Sequence, residues 1–73
     1  MSRISVEVFK TNVREMYQAH ALLDLLQQYF PGSRINFDLE DCDNILRVEG
    51  NNISSQKVIQ LLHKNNCYCE VLE

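Results

Sequence analysis

The most reactive side chains of this 73-residue chain are three cysteines, Cys42, Cys67 and Cys69. One residue separates Cys67 from Cys69, and His63 lies shortly before them. Thiolates and imidazoles bind soft and borderline metal ions such as Cu(I) and Zn(II), and thiols also support redox chemistry. One function that these residues indicate is a metal-binding or thiol redox-sensing module that uses Cys42 and Cys67. His63 or Met16 would supply a further ligand.

The spacing of two of these cysteines also fits an ordinary hydrophobic core. Cys67, Cys69 and Val71 alternate with Tyr68 and Glu70. Both thiols are therefore predicted to lie on the core face of a strand. Reduced cysteine is a common small buried hydrophobe. Since no complete ligand set can be assigned, we expect the chain to bind no metal ion and no other cofactor.

The cysteine count and the beginning of the chain indicate a cytoplasmic protein. Three cysteines are an odd number, so a disulfide framework is not expected. No basic start is followed by an apolar core and a cleavage site, and no apolar run approaches the ~20 residues that span a bilayer. We therefore expect reduced thiols, a cytoplasmic location and no membrane partner.

The elements that position these side chains follow from hydrophobic periodicity. Ile4, Val6 and Val8 recur at every second position, which predicts a strand over residues 3–10 with these three side chains on its buried face. The remaining pattern predicts a helix over 13–30, strands over 35–40 and 46–48 around a turn at 41–44, a helix over 55–64 and a strand over 67–72. The predicted order is β-α-β-β-α-β.

Polar residues predict where both helices begin. Asn12 followed by Glu15 resembles a capping box, so the first helix is expected to begin at Val13. The spacing within that helix places His20 on its core-facing side. Ser54 is the predicted N-cap of the second helix.

This order of elements predicts an α+β fold. Right-handed crossovers in both β-α-β units lead to a ferredoxin-like sandwich, with an antiparallel four-stranded sheet in the order 4-1-3-2 and two helices on one face. A chain of 73 residues is long enough for one small core. We therefore expect a single domain over residues 1–73.

The second half of the chain resembles the heavy-metal-associated domain, the fold of small copper chaperones and of the metal-binding modules of copper-transporting ATPases. The residues that carry the resemblance are R-I-N-F-D-L-E, N-I-L-R-V-E-G and S-S-Q-K-V-I-Q-L-L-H-K-N-N-C-Y-C-E-V-L. They are similar to that family's strand, hairpin, helix and final strand, and the likeness extends over about residues 4 to 72. The resemblance implies the same ferredoxin-like fold.

The metal-binding loop of that family is missing here. The family carries Met-x-Cys-x-x-Cys at the first strand-helix junction, where two thiolates bind Cu(I). In this chain Thr11 stands at the methionine position, and Val13 and Met16 stand at the cysteine positions. Neither valine nor a single thioether replaces two thiolates. We expect a degenerate metal loop whose apolar side chains, Val13 and Met16, pack beneath it as core.

Composition and size exclude two further classes of function. The net charge is −3, and only seven basic residues are spread along the chain, so a nucleic-acid partner is not expected. A catalytic site needs a concave pocket with converging polar groups, which a two-layer domain of this size rarely encloses. We therefore expect no enzymatic activity.

The open face of the predicted sheet is the remaining candidate for function, because no helix covers it. The predicted strand phases place Phe9, Ile45, Tyr68 and Leu72 on that face, among charged residues. An apolar cluster ringed by charges is a reasonable surface for protein contact. The sequence therefore predicts a small module that acts through a protein partner or through self-association.

Overall fold

The structure is a computed structural model, and it describes residues 4–72. The elements are β1 (Ile4–Thr11), α1 (Met16–Tyr29), β2 (Arg34–Asp38), β3 (Ile45–Asn51), α2 (Ser55–Lys64) and β4 (Cys69–Val71). The predicted order β-α-β-β-α-β is confirmed. The first residue of the predicted opening strand, and residues 1–3 and 73 of the predicted domain, lie outside the described residues.

The four strands form one antiparallel sheet in the order β2-β3-β1-β4. This order is the predicted 4-1-3-2 read from the other edge, so the predicted ferredoxin-like α+β fold is confirmed. Leu46 of β3 pairs with Phe9 of β1 on one side and with Phe37 of β2 on the other. Directly paired residues share a sheet face, so these three side chains lie together on the helix-covered face.

The hydrophobic core lies between that sheet face and the two helices. Its buried members come from every strand except β2, from both helices and from the loops that precede α1 and β4, and they are Phe9, Val13, Ala19, Leu22, Leu26, Leu46, Val48, Val58, Leu61, Leu62, Cys67 and Cys69. Ile35 and Phe37 of β2 pack against this cluster while partly exposed.

The predicted phase of β1 is wrong. Ile4 is 67% exposed and Val6 is 51% exposed, whereas Phe9 is fully buried in the core. The register explains the reversal, because Phe9 is paired with Leu46 and Glu7 with Val48, both of which face the helices. The Glu7 carboxylate accepts a 2.7 Å hydrogen bond from the Ser55 hydroxyl at the start of α2. A polar side chain beneath α2 is thereby satisfied.

The first helix begins three residues later than predicted. α1 begins at Met16, and its N-cap residue, Glu15, makes no side-chain capping hydrogen bond. The predicted capping box is wrong, since Asn12 bonds to the start of β4 instead. The predicted core-facing position of His20 is also wrong, because His20 is exposed and the buried residues of α1 are Ala19, Leu22 and Leu26.

The second helix begins and ends as predicted. The Ser54 hydroxyl accepts a 3.2 Å hydrogen bond from the backbone N–H of Lys57, which is the geometry of an N-cap. Asn65 caps the other end, and the next residue, Asn66, adopts a left-handed conformation with φ of 61°. Asparagine tolerates this conformation better than most residues, so it can reverse the chain toward β4.

Candidate functional site: the strand-helix loop and the open sheet face

The loop between β1 and α1 places one of its two predicted core side chains in the core and leaves the other in solvent. Val13 is fully buried in the core, as predicted. Met16 is 62% exposed, so the prediction that it packs beneath the loop is wrong. Met16 is the first residue of α1, ahead of its first buried residue, Ala19. The two positions that correspond to cysteines in the resembled family thus differ in environment, one in the core and one in solvent.

Thr11 attaches this loop to the β2-β3 hairpin. Its hydroxyl donates a 2.6 Å hydrogen bond to the carbonyl of Asn44 and accepts one of 3.2 Å from the backbone N–H of Val13. The backbone N–H of Thr11 also donates to the carbonyl of Asp43 at 3.1 Å. Because Thr11 is itself buried, these bonds satisfy polar groups that water does not reach.

Asn12 attaches the same loop to the start of β4. Its Oδ1 accepts a 2.9 Å hydrogen bond from the backbone N–H of Tyr68. The strand-helix loop, the hairpin turn and the start of β4 therefore meet at one end of the sheet, as the topology predicts. What holds these three segments together is a set of neutral hydrogen bonds around a buried valine.

The cysteines near this end are in two different environments. Cys67 and Cys69 are buried as predicted, whereas Cys42 is exposed, and all three are free. Gln18 Nε2 donates to Cys67 Sγ at 3.1 Å, and Cys67 Sγ donates to the Asn65 carbonyl at 3.4 Å. These contacts hold Cys67 in place from α1 and from the preceding turn.

Burial keeps the Cys69 thiol protonated. Burial, followed by the neighbouring Cys67 and Glu70, raises the pKa of Cys69 from 9.0 to about 12. The thiolate is the form that binds metals and attacks electrophiles. At neutral pH Cys69 is therefore a small apolar side chain rather than a reactive one.

The predicted thiol ligands do not come together as a set. Within residues 4–72, the one cluster of three or more His, Cys, Asp or Glu side chains with ligand atoms within 4.8 Å is Asp41, Cys42 and Asp43. Neither Cys67 nor His63 belongs to it. Asp41 Oδ1 accepts the backbone N–H of Asp43 at 2.8 Å, and Asp43 lies 3.8 Å from Lys10 Nζ. These contacts are those of a hairpin turn.

The open sheet face has a different composition from the one predicted. The prediction that Phe9 lies on the open face is wrong, because Phe9 lies on the helix-covered face. Ile45 is paired with Lys10 and Asp38 on the open face, but only 7% of it is exposed. Tyr68 and Leu72 are exposed, as predicted for this face.

Sequence reasoning missed the main apolar feature of this face. Ile4, Val6 and Val8 follow one another along β1, and Leu72 lies beside Val8, whose carbonyl accepts a 2.8 Å hydrogen bond from the Leu72 N–H. We call these four residues the apolar column. The alternation of β1 was visible in the sequence. Which set of its side chains faces the helices was not visible, because that depends on the pairing of β1 with β3, in which Glu7 lies opposite Val48.

Charged side chains of both signs flank the apolar column. The register pairs Arg34 with Glu49 and Lys10 with Glu70, which places opposite charges side by side on the open face. Arg47 and Asp38 share this face by the same alternation. Within residues 4–72, the paired strands therefore present three basic and three acidic side chains here, and these charges cancel.

An open cavity of about 500 Å³ lies at the other end of the molecule, lined by Ile4, Tyr29, Phe30, Pro31, Gly32, Ser33, Arg34, Glu49, Gly50, Asn51 and Asn52. Among the described residues, the charged ones that line it are Arg34 and Glu49, which are partners in the sheet. Neither residue is a nucleophile, and Glu49 lies beside the opposite charge of Arg34, so the pair does not resemble a catalytic acid or base.

Comparisons with known proteins gave no match: no family model, no curated protein and no solved structure is similar to this chain. The likeness to heavy-metal-associated domains therefore stays a prediction from the residues. Within residues 4–72, no helix is both long and apolar enough to cross a membrane.

Proposed function

We propose that this chain is a non-enzymatic protein-contact module with the fold of a heavy-metal-associated domain and without that family's metal capture. The observation that carries the proposal is the apolar column, which lies exposed on a sheet face that no helix covers. Exposed apolar side chains that adjoin one another, with charges around them, are typical of contact surfaces.

The state of the strand-helix loop supports the loss of metal capture. Val13 lies in the core. The Thr11 hydroxyl is hydrogen-bonded to the hairpin, and the Asn12 side chain is hydrogen-bonded to the residue before β4. A soft metal ion needs thiolates that are free to converge on it. The described loop offers none, and the buried Cys69 is held as a thiol by its raised pKa.

The charge of the molecule supports a protein as the partner. The chain carries −3, and the face that holds the apolar column is neutral. A nucleic-acid backbone needs a concentrated basic surface. Three free cysteines fit a reducing compartment, so the proposal places the module in the cytoplasm.

Capture from native cell extract tests the contact surface. The tagged wild-type chain is compared with Val6→Glu, which places a charge in the apolar column, and with Tyr17→Glu. Tyr17 is a matched control because it is 77% exposed and lies on α1, away from the sheet face. The wild type and the Tyr17 variant should retain the same partner, and Val6→Glu should lose it. Equal retention by all three chains would contradict the proposal.

A competition titration tests the loss of metal capture. Fully reduced protein is added without oxygen to a coloured Cu(I)-chelator complex, and the absorbance of the complex is followed. We expect Cu(I) to stay on the chelator. Transfer of one equivalent to the wild type, absent in a Cys42→Ser, Cys67→Ser variant, would instead support the metal-binding or thiol-sensing module.

A further inference from the structure

The open sheet face carries one inference beyond a general contact role, and it rests on the proposed function. We infer that the partner on this face is a second copy of the same chain, packed face to face about a two-fold axis with the two apolar columns in contact. The charges of the face, the shape of the column and the size of the sheet each contribute to this inference.

The charge distribution favours a copy over a partner of strong charge. Two chains that each carry −3 repel one another over most of their surfaces. The open face is the exception, because its basic side chains, Lys10, Arg34 and Arg47, are matched in number by acidic ones. A two-fold interface brings the same patch of both copies together, so it requires a patch without net charge.

The position of the apolar column also suits a two-fold interface. The column runs along β1, which is an inner strand of the sheet, and Leu72 extends it toward β4. Two sheets that pack face to face lie ~10 Å apart, with strand directions within ~30° of each other. A two-fold axis through the middle of the column would set Val6 and its neighbours against the same residues of the copy.

The size of the sheet sets the strength of this contact. Four strands at ~4.8 Å spacing make a face ~19 Å wide, and the eight residues of β1 reach ~26 Å along it. Stable interfaces cover ~800 Å² on each partner, and the flat area of this face, at most ~490 Å², is smaller than that. The dimer should therefore be reversible and should depend on protein concentration.

Sedimentation equilibrium of the purified chain tests the inference, with samples from ~10 µM to ~1 mM so that a weak dimer is detected. The wild-type mass should rise from that of one chain toward that of two. Val6→Glu should weaken dimerisation by about tenfold or more, and Tyr17→Glu should leave it unchanged. Val6→Thr keeps the β-branched shape and should show a smaller loss in the same direction, which guards against misfolding of the glutamate variant.

Salt adds an independent readout. Since the two copies repel through their net charge, dimerisation should strengthen or stay constant between ~50 mM and ~500 mM salt. A dimer that weakens steeply with salt would overturn the inference, because the contact would then depend on charge attraction. Equal weakening by Val6→Glu and Tyr17→Glu would also overturn it, because the contact would not lie on the apolar column.

A wild-type chain that stays monomeric at ~1 mM would overturn the inference. In that case the capture experiment separates the two claims. If another protein is captured by the wild type and lost by Val6→Glu, the proposed contact function holds, and the partner on this face is that protein rather than a second copy. If the chain neither dimerises nor captures a partner that depends on Val6, the proposed contact function is overturned as well.

Discussion

The strand-helix loop of this small molecule buries its apolar side chain, whereas the open sheet face exposes several. The loop stands where the resembled family binds metal, yet Val13 is buried there and Thr11 and Asn12 bond to neighbouring segments. The strand with the clearest apolar alternation turns that alternation outward, so that Ile4 and Val6 are exposed. The loop stabilises the fold through Val13, as predicted, whereas a strand face that was expected to be core is exposed.

The largest expected effect comes from charging the loop core. Val13→Asp places a carboxylate in a fully buried apolar site and should lower the free energy of unfolding by about 3 kcal/mol or more. Arg14→Asp is the matched control, because Arg14 is the exposed neighbour in the same loop. Chemical denaturation measures both. Similar small losses in the two variants would mean that the loop is not part of the core.

Removing the hydroxyl that joins the loop to the hairpin should have the next largest effect. Thr11→Val keeps the shape of the side chain, but the carbonyl of Asn44 and the buried N–H of Val13 lose their partner. We expect a loss of about 1–3 kcal/mol in the free energy of unfolding. Thr11→Ser retains the hydroxyl and should recover most of it. If valine at position 11 costs nothing, the hydrogen bonds do not stabilise the loop.

Alkaline pH should weaken the fold through Cys69. Its pKa is about 12 in the folded chain and 9.0 as the ordinary value, so the unfolded chain releases the proton first. The stability contributed by this thiol is complete below pH 9 and falls as pH rises from 9 toward 12, by at most ~1.4 kcal/mol per pH unit. The loss will be smaller than that limit because the thiol is partly screened.

The measurement is the free energy of unfolding of the wild type and of Cys69→Ala at a series of pH values above 8. Subtracting the two curves removes the contribution of tyrosines and lysines, which titrate in both chains. The difference in free energy of unfolding between the wild type and Cys69→Ala should become smaller as pH rises. A constant difference between the curves would show that the folded environment does not disfavour the thiolate.

The smallest effect on stability is expected at the open face. Val6→Glu should change the free energy of unfolding by about 1 kcal/mol, because Val6 is half exposed. The change loses β-strand preference and sets a second carboxylate opposite Glu49. Val48→Glu is the contrasting variant, since Val48 is fully buried in the neighbouring strand. Thermal unfolding monitored by circular dichroism compares them. Comparable destabilisation by the two variants would mean that the apolar column is core.

Element types and strand order followed from the sequence because their signals are local or topological. The Ser54 cap and the alternation around Leu46 and Val48 need no distant partner to be read, and right-handed crossovers then leave few sheet orders. The fold was predictable at this level from these signals alone.

The phase of β1 and the start of α1 depend on distant partners. Alternation establishes a period of two without saying which set of side chains faces the helices, and pairing of Phe9 with Leu46 decides it. Asn12 could cap a helix by its type, but the N–H of Tyr68 lies within reach of its Oδ1. The wrong phase of β1 changed the candidate site, because Phe9 lies on the helix-covered face and Ile4 and Val6 lie on the open face.

Site-specific photo-crosslinking compares the two regions in a single measurement. A photoreactive amino acid replaces either Val6 in the apolar column or Arg14 in the strand-helix loop, both exposed, and each chain is irradiated in native cell extract. We predict a protein adduct from position 6 and none from position 14. An adduct from position 14 alone would contradict the account, because it would return the contact function to the loop.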